Sequence, residues 1–265
     1  MTLSSKKGVK KTNLSRSEFE KLIQRTACIA NFDLSDVAWE GTKRMNISFD
    51  NCDFYNVNFS GSNLENLKAT ECTFHNCSFR DTNLKESRFE KCILYEPISD
   101  KGCDFSSSDL RLSEFIKCEM TMCKFLRSEL FQVTINNCRA LYTTFYLANF
   151  TNFVSNKFNF SSATLTETNF SNSNFEGVYL EKCDLSNSKF VHVNLSRANL
   201  DGADLRYCEI ENIESDGLSI CDADLRGAEI RNFDIRQIDM TGVKIYEWQQ
   251  QDLLEKMGMV IFSDN

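Results

Sequence analysis

Large apolar residues recur at every fifth position along most of this chain. Between Phe105 and Ile245 there are 29 such positions, and 26 hold Leu, Ile, Phe or Met; the exceptions are Ala140, Ser155 and Ser215. Those four residue types make up about a quarter of the sequence, so composition alone does not produce the alignment. A second run, offset by one residue, carries Phe49, Phe54, Phe59, Leu64, Phe74, Phe79, Leu84, Phe89 and Leu94, broken only by Ala69. The stretch "ANLDGADLRYCEI" (198–210) shows the unit: a large residue at position i, a small one at i−2 and a polar one between them. Self-similarity at a fixed period marks a repeat architecture.

Five is the period of neither a helix nor a strand, but it is three plus two. In an extended segment alternate side chains share a side, so residues i and i−2 point inward while i−1 points out. The two residues that follow, often Ser, Asn, Gly, Arg or Lys here, turn a corner. Coils of such a chain stack into a solenoid in which neighbours bury one another's apolar residues. The interior has a fixed cross-section, so a small residue at i is expected beside a large one at i−2. Leu67 with Ala69 and Ile213 with Ser215 follow that rule; Cys138 with Ala140 does not.

"ANLDGADL" (198–205) and "CDADLRGAEI" (221–230) resemble the pentapeptide-repeat pattern A(D/N)LXX. That resemblance implies four pentapeptides per coil: an all-β, right-handed quadrilateral β-helix. The metre, which recurs from about residue 49 to 245, predicts one elongated domain of nine or ten coils, roughly 45 Å long at about 4.8 Å per coil. The ends differ. Ser15 stands three residues before Glu18, and Phe19, Leu22 and Ile23 have helical spacing, which predicts a capping helix within 1–27, behind a basic tail. Weak phase through Leu34, Trp39 and Phe49 extends the repeat back toward residue 28 by one or two extra coils. After Ile245, "IYEWQQQDLLEKMGMVIF" leaves the metre and reads as a helix ending at Gly258, then a short strand. Its Tyr246, Trp248, Leu253, Leu254 and Met257 are too apolar for a lone exposed helix, so 246–265 is expected to cap the last coil and pair with its twin in a homodimer.

Candidate chemistry changes little. Ten of the twelve cysteines (Cys52, Cys72, Cys77, Cys92, Cys103, Cys118, Cys123, Cys138, Cys183 and Cys208) fall at i−2, where a free thiol acts as a small hydrophobe. No CxxC suggests zinc, no phosphate-binding motif is present, and His75 and His192 fall at outward positions without a nucleophile motif. No catalytic residue, metal or cofactor is expected. Asp184, Asp204 and Asp224 form a carboxylate ladder on a twenty-residue spacing, a pattern the bare repeat favours anyway. Residues 1–25 carry seven Lys/Arg against two Asp/Glu, whereas 160–265 hold 19 acids and 9 bases. A rod with one acidic half attracts basic surfaces and repels nucleic acid. No apolar run is long enough to span a membrane, and the N-terminus lacks a signal-like apolar stretch, so a cytoplasmic protein is expected.

Two interruptions narrow the resemblance. "YEPISDKG" (Tyr95, Glu96, Pro97, Ile98, Ser99, Asp100, Lys101, Gly102) separates the two runs and holds the only proline. The second lies within 151–162 and includes Asn152, Phe153, Val154, Ser155, Asn156, Lys157 and Phe158. With "VYLEKCDLSNSKF" (178–190) and the C-terminal segment, they resemble the Qnr quinolone-resistance proteins over about residues 64–262. That resemblance implies a dimeric DNA mimic that binds DNA gyrase and topoisomerase IV, protects them from fluoroquinolones, and contacts them through the two loops. The alternative is a repeat scaffold with another partner, in gyrase-toxin immunity or as a secreted effector.

Overall fold

The computed structural model describes residues 11–23, 25–155, 158–232 and 234–262; the basic tail expected before the helix lies outside them except for Lys11, whose ammonium is tied to the Asp53 carboxylate at 2.7 Å. The chain winds as a square β-solenoid of about 11 turns. One parallel ladder runs through Asn13, Asp33, Asp53, Thr73, Ile93, Glu119, Arg139, Asn169, Lys189, Glu209 and Glu229, one residue from each level. At about 4.8 Å per step the rod is about 50 Å long. The turn count matches nine or ten coils over 49–245 with one or two more before them, although the ladder starts at Thr12–Asn13, upstream of residue 28. Helix α1 (Arg16–Ile23) is inserted into this first level. At its start the Glu18 carboxylate accepts from the Ser15 backbone N–H and hydroxyl. Phe19 lies 4.8 Å from the buried Trp39 ring, closing that end of the core.

The inward positions hold what the metre assigns to them. Along one wall of the square, Phe59, Phe79, Phe105, Phe125, Phe145 and Phe175 form one column of stacked rings, with centroids 4.5–5.0 Å apart. In-register parallel strands bring identical side chains one coil apart, so a repeated Phe must stack. The ten i−2 cysteines are all buried and free. Leu67 and Ala69 share the interior fully buried, whereas Ile213, beside Ser215, is only half-buried and lines a small apolar void of about 20 Å³. Corners place residue i+2 in the left-handed region, where Asn is among the least strained of non-glycine residues. Asn51, Asn66 and Asn76 there donate side-chain hydrogen bonds of 2.7 Å to Asn31, Asn46 and Asn56 one coil below.

Two insertions break the twenty-residue coil. Phe89 pairs with Phe115, 26 residues on, and Ile135 with Leu165, 30 residues on. The first insertion, six residues longer than a corner, shifts the five-residue phase by one. The second adds ten, a multiple of five, and leaves the phase intact. Hence Phe160 sits on the metre in the sequence yet is 48% exposed on the second loop.

Candidate partner-binding loops and acidic face

Each insertion replaces a two-residue corner. The first loop follows Leu94, on the wall that carries Phe54 and Phe74, and the second follows Phe150, on the facing wall that carries Leu110 and Leu130, so they leave opposite corners of the square.

In the first loop Tyr95–Glu96 pairs antiparallel with Lys101–Gly102. The Glu96 carboxylate accepts the N–H groups of Ile98 (3.0 Å) and Ser99 (2.9 Å), and these backbone bonds hold its pKa below the usual glutamate value. The Tyr95 hydroxyl bonds to Asp100. Between these ties the turn carries Pro97 and presents Ile98, 95% exposed. Gly102 is the foot. A Cβ there would lie 2.3 Å from the Met122 carbonyl carbon and 2.4 Å from the Cys123 nitrogen, so the loop rejoins the coil only because that residue has no side chain.

The second loop is a longer hairpin. Thr151–Ser155 pairs with Phe158–Ser161 through a bulge between Phe153 and Ser155. Asn152 lies within its first strand, while Asn156 and Lys157 fall outside the described residues. Ser162 N–H donates to Phe150 O at 3.2 Å and closes the base. Phe160 packs edge-on against Phe131 at 5.2 Å, an anchor that sequence spacing hid because both residues sit on large-residue walls or corners by phase alone.

Asp184, Asp204 and Asp224 do stack in consecutive coils. Arginines share that column. Arg206 donates to Asp204 at 2.9 and 2.5 Å, and Arg226 to Asp224 at 2.9 and 2.6 Å. Hydrogen bonds from Arg206 hold the Asp204 carboxyl below its ordinary range. Asp184 instead accepts the Ser186 N–H at 3.0 Å. Three carboxylates therefore meet two guanidiniums, and the ladder carries less field than its Asp spacing suggests.

At the C-terminal end a single turn (Glu247–Gln249) leads into helix α2 (Gln250–Lys256). Leu253 is buried against the core, whereas Trp248 and Met257 are exposed, as are Met259, Val260 and Phe262. Tyr246 meets the Tyr207 hydroxyl at 3.2 Å and lies under the Arg226 guanidinium; Leu254 is half-buried. Residues 259–262, expected as a short strand, have no regular secondary structure. Sequence reasoning passed over Gln249, one of three consecutive glutamines, which is 4% exposed and fully hydrogen-bonded. Among the described residues no group of three or more His, Cys, Asp or Glu could hold a metal ion, and no helix is long and apolar enough to cross a membrane.

Known proteins share this architecture. The family model for pentapeptide repeats matches in eight copies, over residues 46–67, 58–94, 145–181 and 179–213. Pentapeptide repeat protein QnrB4 of Escherichia coli is 35% identical over 80 residues, 30% of this chain and 37% of that protein. Quinolone resistance pentapeptide repeat protein QnrB96 of Scandinavium goeteborgense is 31% identical over 83 residues, 31% of this chain and 39% of that protein. The matched stretch thus spans under two fifths of the length of these curated relatives. Structural likeness reaches further. Full-length QnrB1, a plasmid-mediated fluoroquinolone resistance protein, superposes with a TM-score of 0.63 at 29% identity, covering 88% of this chain and 97% of that one. Five-residue metre, square coil and matched repeats agree: the chain carries pentapeptide repeats, and its solenoid is similar to that of the Qnr quinolone-resistance proteins.

Proposed function

We propose that this protein is a binding protein, not an enzyme, that engages DNA gyrase and topoisomerase IV as a homodimer and protects them from fluoroquinolones. The observation that carries the reading is the pair of antiparallel hairpins on a solenoid similar over nearly its whole length to a fluoroquinolone resistance protein. A scaffold held by continuous ladders positions loop side chains at little entropic cost on binding. The acidic C-terminal half supplies a field that favours a basic, DNA-binding surface. Arg206 and Arg226 damp that field along the Asp184–Asp204–Asp224 column, so specificity falls to the loops. The exposed apolar segment beyond Tyr246 is the dimer contact in this reading.

Ciprofloxacin-poisoned supercoiling by purified gyrase, titrated with the protein, tests it. Replacing 151–162 by a two-residue corner restores a plain twenty-residue coil and preserves the ladder on both sides. That variant is expected to fold, remain dimeric and lose protection. Protection equal to the parent's would move the contact off the second loop, and no protection by the parent itself would end the drug-protection reading.

A further inference from the structure

The last coil of a β-solenoid should leave backbone groups open. Below it, corner N–H groups donate to carbonyls one coil up: Gly202 to Cys221 at 2.7 Å, Tyr207 to Arg226 at 3.3 Å, Asp222 to Thr241 at 2.8 Å. Carbonyls of i−2 residues accept an N–H from the coil above, as Cys208 does from Glu229 and Ala223 from Lys244, at 2.8 and 2.9 Å. The carbonyl of the preceding i residue accepts a small polar side chain from that same coil, as Leu165 does from the Ser188 hydroxyl at 2.8 Å. On the terminal wall the three equivalent groups are the Gly227 N–H, the Ala228 carbonyl and the Leu225 carbonyl. By register their partners would be the residue 246 carbonyl, the residue 249 N–H and the side chain of residue 248. The chain has left the ladder by then, since the Gln249 N–H turns back to Tyr246 O at 3.0 Å.

One side chain serves all three. Gln249 Oε1 accepts the Gly227 N–H at 2.9 Å, and its Nε2 donates to Leu225 O at 2.9 Å and Ala228 O at 3.0 Å. The remaining acceptor position of Oε1 takes the Tyr246 N–H at 2.9 Å. A carboxamide has the planar donor–acceptor pattern of a peptide group, and here its two acceptor and two donor positions are all filled.

We infer that Gln249 is a chain-terminating peptide mimic: its amide replaces the coil that is not there and, through the Tyr246 N–H, sets the angle at which Trp248 and α2 leave the rod. It is a positioning residue with two effects. It satisfies a sheet edge that would otherwise template end-to-end pairing. It also presents one fixed apolar face, so that a second copy meets a single surface and the assembly closes as a dimer. The second effect rests on the dimer reading above; the first does not.

Gln249→Leu keeps size and removes all four bonds, while Gln249→Glu keeps the acceptor and loses the donors. Backbone hydrogen exchange and sedimentation over a concentration series are measured on parent and variants at full length. In Gln249→Leu the Gly227 and Tyr246 amides should exchange at least tenfold faster, with amides near Phe125 unchanged. The dimer should give way to monomer or to species larger than a dimer. Gln249→Glu should retain slow exchange at those two amides yet dimerise less tightly, because two carbonyls face a carboxylate. If Gln249→Leu does not yield folded protein, Gln249→Glu still carries the comparison, and fast exchange there would overturn the inference. Parental exchange at Gly227 and Tyr246 in Gln249→Leu would overturn it as well. A monomeric parent would instead defeat the dimer reading and leave the exchange result to decide the role of Gln249.

Discussion

Phe125→Ala removes one ring from the middle of the phenylalanine column. Phe125 is fully buried, with its centroid 5.0 Å from Phe105 and 5.0 Å from Phe145, and it meets Phe115 edge-on at 5.8 Å. Its walls are backbone ladders that cannot collapse inward without breaking hydrogen bonds on four sides, so the cavity should stay open. The cost should lie at the upper part of the range for a buried Phe, about 3–5 kcal/mol, a large share of the roughly 5–15 kcal/mol that holds a typical protein folded. A solenoid also couples only nearest neighbours, so a defect in a central coil should let the two halves unfold apart. Urea unfolding followed by far-ultraviolet circular dichroism should show a lower midpoint and a broadened or biphasic transition. Phe160→Ala, on the exposed loop, is the control and should cost below about 1 kcal/mol. A loss below about 1 kcal/mol for Phe125→Ala, with an unchanged single transition, would refute a continuous close-packed column.

Gly102→Ala should drive a Cβ into the Met122–Cys123 peptide and cost about 1–3 kcal/mol as overpacking; limited proteolysis should then cut at 95–102, where the parent resists. Thiol titration of the native protein should find Cys28 reacting quickly and Cys221, half-buried, more slowly, with the other ten silent until denaturant is added. Burial pushes Cys183 and Cys208 up to about 12, so even transient exposure offers little thiolate; fast labelling of most thiols would overturn the inward register. Stability should fall in two stages as pH drops. Burial lowers the His75 pKa, so its unfolded form takes up protons first and stability declines below about 6.5. Burial raises Asp104 and Asp109, but hydrogen bonds outweigh it, from Ser106 and Arg80 at Asp104 and from Arg111 at Asp109. Their depressed folded values make that contribution complete above about 4 and lost as pH falls further. His75→Asn should remove only the first stage in a pH series of thermal melts.

What the sequence determined by itself was everything local to a five-residue unit. Inward i and i−2, outward i−1 and a two-residue corner follow from side-chain alternation, and identical units leave stacking as the way to bury them all. That is why Phe125, Cys183 and the capping Ser15–Glu18 pair were legible before any coordinates. The loops were legible too, since a six-residue excess shifts the phase and Pro97 marks it. Three features belonged to tertiary structure alone. Phe160 kept the metre by a ten-residue insertion and left the core, because phase records length modulo five and not direction. The field of Asp204 and Asp224 depended on where two guanidiniums folded back, which spacing does not encode. Gln249 looked like one of three solvent-facing glutamines and proved to be the last rung of the ladder, because its partners, 21 to 24 residues away, exist as open groups only once the coil beneath has formed.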